Sequence, residues 1–203
     1  MSTLLPLFPL DLVLFPNTLL PLHIFEPRYR EMISECVAEK KHFGVVRAEP
    51  NGIAEVGCTA EVLEVTKQYD DGRMDILTEG RQRFEIMQMN QERPFLQGEV
   101  VYVPDQPNPP SAEERARAIR LHGELIALAG AQAEVASEIA KHNLAYHLAG
   151  SLPLDLDFKQ SLLEMKSEAE RVRAIISSFE AILPTLRRTV HIRQKAEGNG
   201  HAG

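Results

Sequence analysis

Residues 43–86 read FGVVRAEPNGIAEVGCTAEVLEVTKQYDDGRMDILTEGRQRFEI, and this alternation of short apolar runs with tight turns predicts consecutive β-strands. The dipeptides Asn51-Gly52 and Asp71-Gly72 are typical of two-residue hairpin turns. Between them the chain is rich in β-branched residues, which favour strands. The stretch is therefore predicted to form hairpins.

The strand after the second turn has a period of two. Phe84 and Ile86 point to one face of it, and the polar Arg83 points to the other. A last apolar run from Leu96 to Val103 closes the series. Several short strands at close spacing, joined by hairpins, predict a small barrel or sandwich.

Upstream of the strands, residues 4–29 read LLPLFPLDLVLFPNTLLPLHIFEPRY and contain five prolines and three phenylalanines. Two interpretations stay open. In the first, an irregular β-arm places Phe8, Phe15 and Phe25 in the barrel core. In the second, the segment is an apolar, proline-stiffened surface for extended peptides. The residues taken alone favour the first.

A helix is predicted to begin at Pro27, because the first helical position needs no N–H donor. The residues that follow have apolar side chains at helical spacing: Tyr29, Met32, Ile33, Cys36 and Val37. This helix is expected to lie against the barrel.

The chain changes to a helical period after residue 110. Residues 104–110 contain four prolines, and such a stretch cannot be helical or paired. We place a domain boundary there, with a β-barrel domain over residues 1–106, a helical bundle over 107–195 and a disordered tail over 196–203. The predicted fold class is α+β.

Two of the predicted helices begin with capping boxes, at Ser111-Ala112-Glu113-Glu114 and Ser167-Glu168-Ala169-Glu170. The first of them is expected to run to about residue 130. Further helices are predicted over about 131–149 and 155–165. The last helix carries an amphipathic stripe, and Pro184 is predicted to kink or end it.

The net charge of −7 lies entirely in the first half of the chain. Up to Pro110 there are 10 basic and 17 acidic residues, and after it there are 12 of each. A nucleic-acid site usually has a basic footprint, because neutralised phosphates supply most of the affinity. The charge therefore argues against a nucleic-acid partner.

Cysteine use and hydropathy predict a cytoplasmic protein. Cys36 and Cys58 are the only cysteines and form no CxxC motif, which is typical of a reducing compartment. Residues 1–15 have no Lys or Arg and are interrupted by prolines, unlike a signal peptide. No apolar run approaches the roughly 20 residues of a membrane helix, so no membrane partner is expected.

The sequence contains none of the enzyme motifs sought. It has no GxxxxGK[ST] loop, no GxGxxG that follows a predicted strand, and no GxSxG. His142 and His147 are five residues apart and would not share a helix face as two zinc ligands do. We therefore predict no catalytic, cofactor-binding or metal-binding residues and expect that the protein is not an enzyme.

Four segments in order, LFPLDLVLFPNTLLPLHIFEPRYREMI, FGVV, EVGCTAEV and DGRMDILTEGRQRFEI, resemble the amino-terminal domain of Lon-type ATP-dependent proteases. A weaker resemblance continues into SLPLDLDFKQSLLEM. The resemblance implies a PUA-like β-barrel followed by a helical bundle. Proteases of that family continue into an ATPase module and a Ser–Lys peptidase domain. Because this chain stops at Gly203, the resemblance implies the recognition domain alone, as in standalone Lon-domain proteins.

The function implied by the resemblance is recognition of unfolded or extended polypeptide, as in protein quality control, with a protease or ATPase as a further candidate partner. The matching positions that could contact a peptide are Phe15, Phe25, Arg28, Tyr29 and Arg83. For the two arginines, a structural ion pair with an acidic neighbour such as Glu26 or Glu85 is the favoured alternative. The alternative function is RNA binding, suggested by analogy with PUA domains, although analogy of fold is weak evidence for function.

Overall fold

A computed structural model of the chain describes residues 3–130 and 143–198. The strands are β1 (Thr3–Leu10), β2 (Leu19–Ile24), β3 (Phe43–Glu49), β4 (Gly52–Ile53), β5 (Val56–Gln68), β6 (Met74–Asn90) and β7 (Gln97–Tyr102). The helices are α1 (Pro27–Glu39), α2 (Ala112–Leu128), α3 (Leu144–Gly150), α4 (Leu156–Glu164) and α5 (Glu168–Gly198). The predicted α+β class, with β structure first and most helices after it, is confirmed.

The chain forms two compact units. The first comprises Met1–Asp105 and Leu152–Lys166, and the second comprises Gln106–Ser151 and Ser167–Gly203. The first unit thus includes α4, whose residues the sequence analysis assigned to the helical domain. Hydrogen bonds connect α4 with the strands of this unit: Gln160 Nε2 donates to the Val56 carbonyl at 3.0 Å, and Arg83 Nη1 of β6 donates to the Leu163 carbonyl at 2.9 Å.

Five strands of the first unit form a closed ring. Hydrogen bonds join them in the order β1-β7-β6-β5-β3, and β3 then pairs with β1 in parallel, from Leu7↔Gly44 to Leu10↔Arg47. The other pairings within the ring are antiparallel. Two strands lie outside it, since β4 pairs with β3 and β2 pairs with β6. The predicted barrel is confirmed.

The ring of Phe84 lies in the core of the barrel and is fully buried. Two glycines leave room for it, because a Cβ at Gly44 or Gly57 would come within 2.6 Å of the Phe84 Cζ. Arg83 precedes Phe84 on β6 and points the other way, as the period of two predicts. The rest of this core cluster is aliphatic: Leu5, Leu7, Val46 and Val100.

Both predicted hairpin turns and the first helix are confirmed. Asn51 precedes β4 at the β3–β4 turn, and Gly72 has a φ of +84° in the turn between β5 and β6. Helix α1 begins at Pro27 and buries four of its five predicted apolar positions, whereas Val37 is exposed.

In the second unit, α2 packs against α5. The predicted capping box begins α2: the Ser111 hydroxyl accepts from the Glu114 N–H at 3.1 Å, and the Glu114 carboxylate accepts from the Ser111 N–H at 2.7 Å. The apolar residues that these two helices bury include Ala118, Leu121, Leu125, Val172, Ile175 and Phe179. The helix predicted over 131–149 lies outside the described residues up to residue 142, and α3 occupies its remainder.

Helix α5 does not end at Pro184, which was one of the two outcomes predicted there. It continues to Gly198 with the proline inside. Pro184 lies on the exposed side, where water can bond the carbonyl that loses its N–H partner, and Leu183 beside it is buried. The tail predicted over 196–203 begins within α5 and lies outside the described residues after Gly198. Among the described residues, no helix is both long enough and apolar enough to cross a membrane.

Substitution of Gly57 by alanine is expected to lower the free energy of unfolding by about 1–3 kcal/mol, because the new methyl group overpacks the barrel against Phe84. The matched control is Gly123→Ala in α2, where a Cβ meets nothing within 4 Å. There the change should raise the free energy by roughly 0.5–1 kcal/mol through helix propensity. Urea unfolding followed by circular dichroism measures both. Equal effects of the two substitutions would contradict the packing argument.

Candidate functional site

A groove of about 440 Å³ opens in the first unit where β1, β2 and the start of α1 meet. Residues 8–10 of β1 and 22–24 of β2 line it, together with Leu96. The remaining lining comes from the turn into α1 and the start of that helix, which contribute Phe25, Glu26, Arg28 and Tyr29. Most of these side chains are apolar, so the groove suits an apolar ligand.

Two stacked, buried aromatic rings form part of the wall of the groove. Phe8 and Tyr29 lie with their centroids 4.2 Å apart and their planes at 29°, and both are buried. Burial raises the pKa of the Tyr29 hydroxyl, so it stays protonated near neutral pH. Phe25, in contrast, is 59% exposed. A phenylalanine so exposed, beside buried rings, is a natural point of apolar contact.

The turn into α1 places a charged pair beside these rings. Arg28 Nε lies 2.9 Å from Glu26 Oε2, and the Arg28 guanidinium lies 4.6 Å from the centre of the Tyr29 ring. Both charged side chains are well exposed, and such pairs contribute only about 0–1 kcal/mol. Arg28 can therefore change partner without loss of fold.

A polar cluster borders the groove on the β2 side. The His23 Nδ1 lies 2.5 Å from Asp75 Oδ1, and the Tyr69 hydroxyl donates to Asp75 Oδ2 at 2.9 Å. These bonds, that from His23 foremost, lower the pKa of the Asp75 carboxyl, which therefore stays ionised near neutral pH. The His23 ring also stacks on Phe25 at a centroid distance of 6.0 Å. The cluster thus supports the exposed phenylalanine.

The structure brings together three of the five residues predicted to contact a peptide. Phe25, Arg28 and Tyr29 line the groove, with Tyr29 as part of its support. Phe15 is buried elsewhere in the unit, and Arg83 is only 4% exposed; neither lines the groove.

Sequence reasoning missed the contributions of Leu22 and His23, although the alternating LPLHI pattern marks them as strand residues. It also missed Leu96, which no local pattern connects with residues 4–29. Their approach depends on the pairing of distant strands.

Arg83 has a structural role within the first unit. Its Nη1 donates to the carbonyl oxygens of Leu163 and Met165 at 2.9 and 2.8 Å, and its Nη2 lies 2.6 Å from Asp105 Oδ1. Arg83 thus forms an ion pair, as the alternative interpretation of the sequence predicted, but its partner is Asp105 and not Glu85. For Arg28 the expected partner Glu26 is found.

Neither thiol is suited to nucleophilic chemistry. Burial raises the pKa of Cys36 to about 11 and that of Cys58 to about 12, so both are protonated near neutral pH. Within the part of the chain that the structure describes, no three His, Cys, Asp or Glu side chains are grouped to hold a metal ion.

A serine–histidine contact occurs in the second unit. His122 Nε2 lies 2.7 Å from Ser151 Oγ, while the Ser151 hydroxyl donates to the Leu148 carbonyl at 3.0 Å. In the tautomer that carries the ring proton on Nε2, His122 donates to Ser151 Oγ, and the serine proton is then directed to the Leu148 carbonyl. Ser151 is the C-cap residue of α3, so the contact lies at the carboxyl end of that helix.

Comparison with known proteins identifies the domain type. A family model described as the ATP-dependent protease La (LON) substrate-binding domain matches residues 4–179. Lon protease 2 of Syntrophobacter fumaroxidans is 28% identical over 169 residues, which are 76% of this chain and 21% of that protein. Lon protease 1 of Hydrogenovibrio crunogenus is 24% identical over 204 residues, which are 92% and 25%. The chain thus spans about a quarter of the length of such curated relatives.

Solved structures have the same fold. The Lon N-terminal domain protein from Xanthomonas campestris superposes with a TM-score of 0.71 at 24% identity, covering 86% of this chain and 98% of that one. The N-terminal domain of the Mycobacterium avium complex Lon protease gives 0.65 at 22% identity, covering 88% and 98%.

The two predicted contact arginines should differ sharply when each is replaced by methionine. Arg83→Met removes a buried guanidinium and leaves the carbonyls of Leu163 and Met165 without their donor, so it should cost about 2–4 kcal/mol of unfolding free energy, since each unsatisfied buried acceptor costs about 1–3 kcal/mol. Arg28→Met breaks an exposed pair and should cost at most about 1 kcal/mol. Urea unfolding distinguishes the two, and an Arg83→Met protein as stable as Arg28→Met would refute the structural role.

The second unit should lose stability in mild acid. Burial, with a smaller contribution from the charge of His147, lowers the pKa of His122 below its ordinary value of 6.5. The folded state therefore binds this proton less readily than the unfolded state, and stability falls as the pH drops below about 6.5. His122→Gln should flatten this dependence in melting curves recorded from pH 8 to pH 5. A dependence of the same slope in the variant would exclude His122 as its source.

Proposed function

The chain belongs to the family of LON substrate-binding domains, and on that premise we propose that it binds unfolded or extended polypeptide in the groove between β1, β2 and α1. The observation that carries this proposal is the exposed ring of Phe25 beside the buried Phe8–Tyr29 stack. Removing such an apolar surface from water is favourable, so an apolar side chain of a partner can displace the water that covers it.

The binding is expected to be weak. A flexible polypeptide loses conformational entropy when it is held extended, and a groove of about 440 Å³ offers contact for only a few side chains. We expect dissociation constants on the order of 1–100 μM, which correspond to roughly 5–8 kcal/mol. An affinity in this range allows repeated sampling of unfolded chains.

We further propose that the chain acts in recognition alone and that any hydrolysis belongs to a partner protease or ATPase. The family match to a substrate-binding domain supports this, as do the buried, protonated thiols. The acidic first half of the sequence supports a polypeptide over RNA as the ligand. The free cysteines support a cytoplasmic setting.

Fluorescence anisotropy with labelled, reduced and carboxymethylated α-lactalbumin tests the proposal. Phe25→Ser should weaken binding by about tenfold or more, which corresponds to 1.4 kcal/mol of lost apolar contact. The control is Met87→Ser on β6, which removes a side chain that is 62% exposed but does not line the groove. It should change the affinity by less than about twofold.

Salt dependence separates the two ligand classes. Apolar binding should persist when salt is raised, whereas binding of an RNA oligonucleotide would weaken steeply. Absence of polypeptide binding at hundreds of micromolar, or equal effects of the two serine variants, would reject the groove as the site. RNA binding that competes with the polypeptide would favour the alternative function.

A further inference from the structure

One edge of β2 has no strand beside it. Among the described strands, β2 pairs only with β6, from Leu19↔Glu79 to Ile24↔Met74. The groove lies along the free edge of β2, which faces away from β6, and residues 8–10 of β1 line the opposite side of the groove. β1 does not pair with β2 there, because its residues 7–10 pair with β3.

The hydrogen bonds determine which backbone groups face this free edge. The Gly80 N–H donates to the Thr18 carbonyl at 2.9 Å, which fixes the phase of the antiparallel pair. Alternate residues then face β6, namely Leu20, Leu22 and Ile24. The residues between them direct their backbone groups outward: Leu19, Pro21 and His23. The proline agrees with this phase, since its missing N–H costs β2 no bond to β6.

We propose that a polypeptide segment binds by adding itself as a strand to this free edge of β2. The segment would exchange paired hydrogen bonds with Leu19 and His23 and donate one to the Pro21 carbonyl. This mode rests on the proposed function, and it deepens that function by specifying that the ligand is recognised through its backbone.

The free edge of β2 and an extended polypeptide are complementary in the partial charges of their backbone N–H and C=O groups. A row of N–H and C=O groups at a strand edge is satisfied together only by another extended backbone. Leu19 is 57% exposed, so the edge is accessible where the added strand would begin. β2 has six residues, which at about 3.3 Å each give a contact of roughly 20 Å. The occupant is therefore an extended polypeptide segment of about that length.

Backbone recognition explains how one groove could accept many sequences and still exclude folded proteins. Main-chain bonds are the same for every residue except proline, so they make few demands on side chains. In a folded protein these backbone groups are already paired. The apolar residues beside the edge, Leu22 and Phe25 among them, then add a preference for segments that are normally buried.

The test uses a fluorescein-labelled, capped peptide as long as β2, in which leucine and threonine alternate. Two derivatives carry N-methyl groups on alternate residues, one on the leucines and one on the threonines. In an added strand only one of these sets donates to β2. One derivative should therefore bind at least about tenfold more weakly than the parent, since two or three ordinary hydrogen bonds are lost, and the other should bind within about twofold.

A protein variant tests the same edge. Leu19→Pro removes an outward-directed backbone N–H and leaves the hydrogen bonds to β6 in place. It should lower the affinity for the parent peptide by roughly threefold to tenfold. Leu19→Ala is the matched control for loss of the side chain and should bind more tightly than Leu19→Pro. Circular dichroism checks that both fold.

The outcomes separate the two proposals. If the peptide binds, requires Phe25 and is equally affected by both N-methyl patterns, strand addition is wrong and the proposed function stands. If neither the peptide nor carboxymethylated α-lactalbumin binds at all, the proposed function fails and strand addition fails with it.

Discussion

The guanidinium of Arg83 is the interaction on which the organisation of the first unit depends. It joins three parts of the chain: β6, the Asp105 carboxylate after β7, and the carbonyls at the end of α4. A buried cation is tolerated only when its donors are satisfied, so each of these groups must be in place. The chain leaves the unit at Asp105 and returns at Leu152, and Arg83 bonds both segments.

The neighbouring residue on β6 explains why this arrangement is compatible with a closed barrel. Strand alternation turns Phe84 into the ring, where Gly44 and Gly57 leave space for it, and turns Arg83 outward to α4. One dipeptide thus fixes both the interior packing and the helix that covers the outside. Because β2 also pairs with β6, the same strand supports one side of the groove.

The features predicted correctly from sequence are those with local causes. The hairpin dipeptides, the helix beginning at Pro27 and the capping box at Ser111 each need only neighbouring residues, and each was confirmed. Features that depend on distant segments were not accessible. The choice of Asp105 over Glu85 as the partner of Arg83 follows from the return of α4. The removal of Phe15 from the predicted site, and the addition of Leu96, follow from strand pairing that no local pattern encodes.

Strand addition, as proposed for β2, requires a strand edge that stays available without pairing with copies of the same domain. The two outer edges of the β2-β6-β5 ribbon differ in this respect. Among the described strands, β5 pairs beyond Ala60 with β6 alone, and register shifts interrupt that part of the strand. Glu61, Glu64 and Lys67 lie along it, and both irregular register and charge oppose edge-to-edge association. β2 has no register shift and carries apolar residues at both ends of its edge, with Pro21 as the one residue that lacks a donor. A single proline reduces the number of bonds that an added strand can form, which favours short and reversible contacts over stable association. The charged, irregular β5 edge and the regular β2 edge therefore make β2 the edge of this ribbon that is better suited to the proposed strand addition.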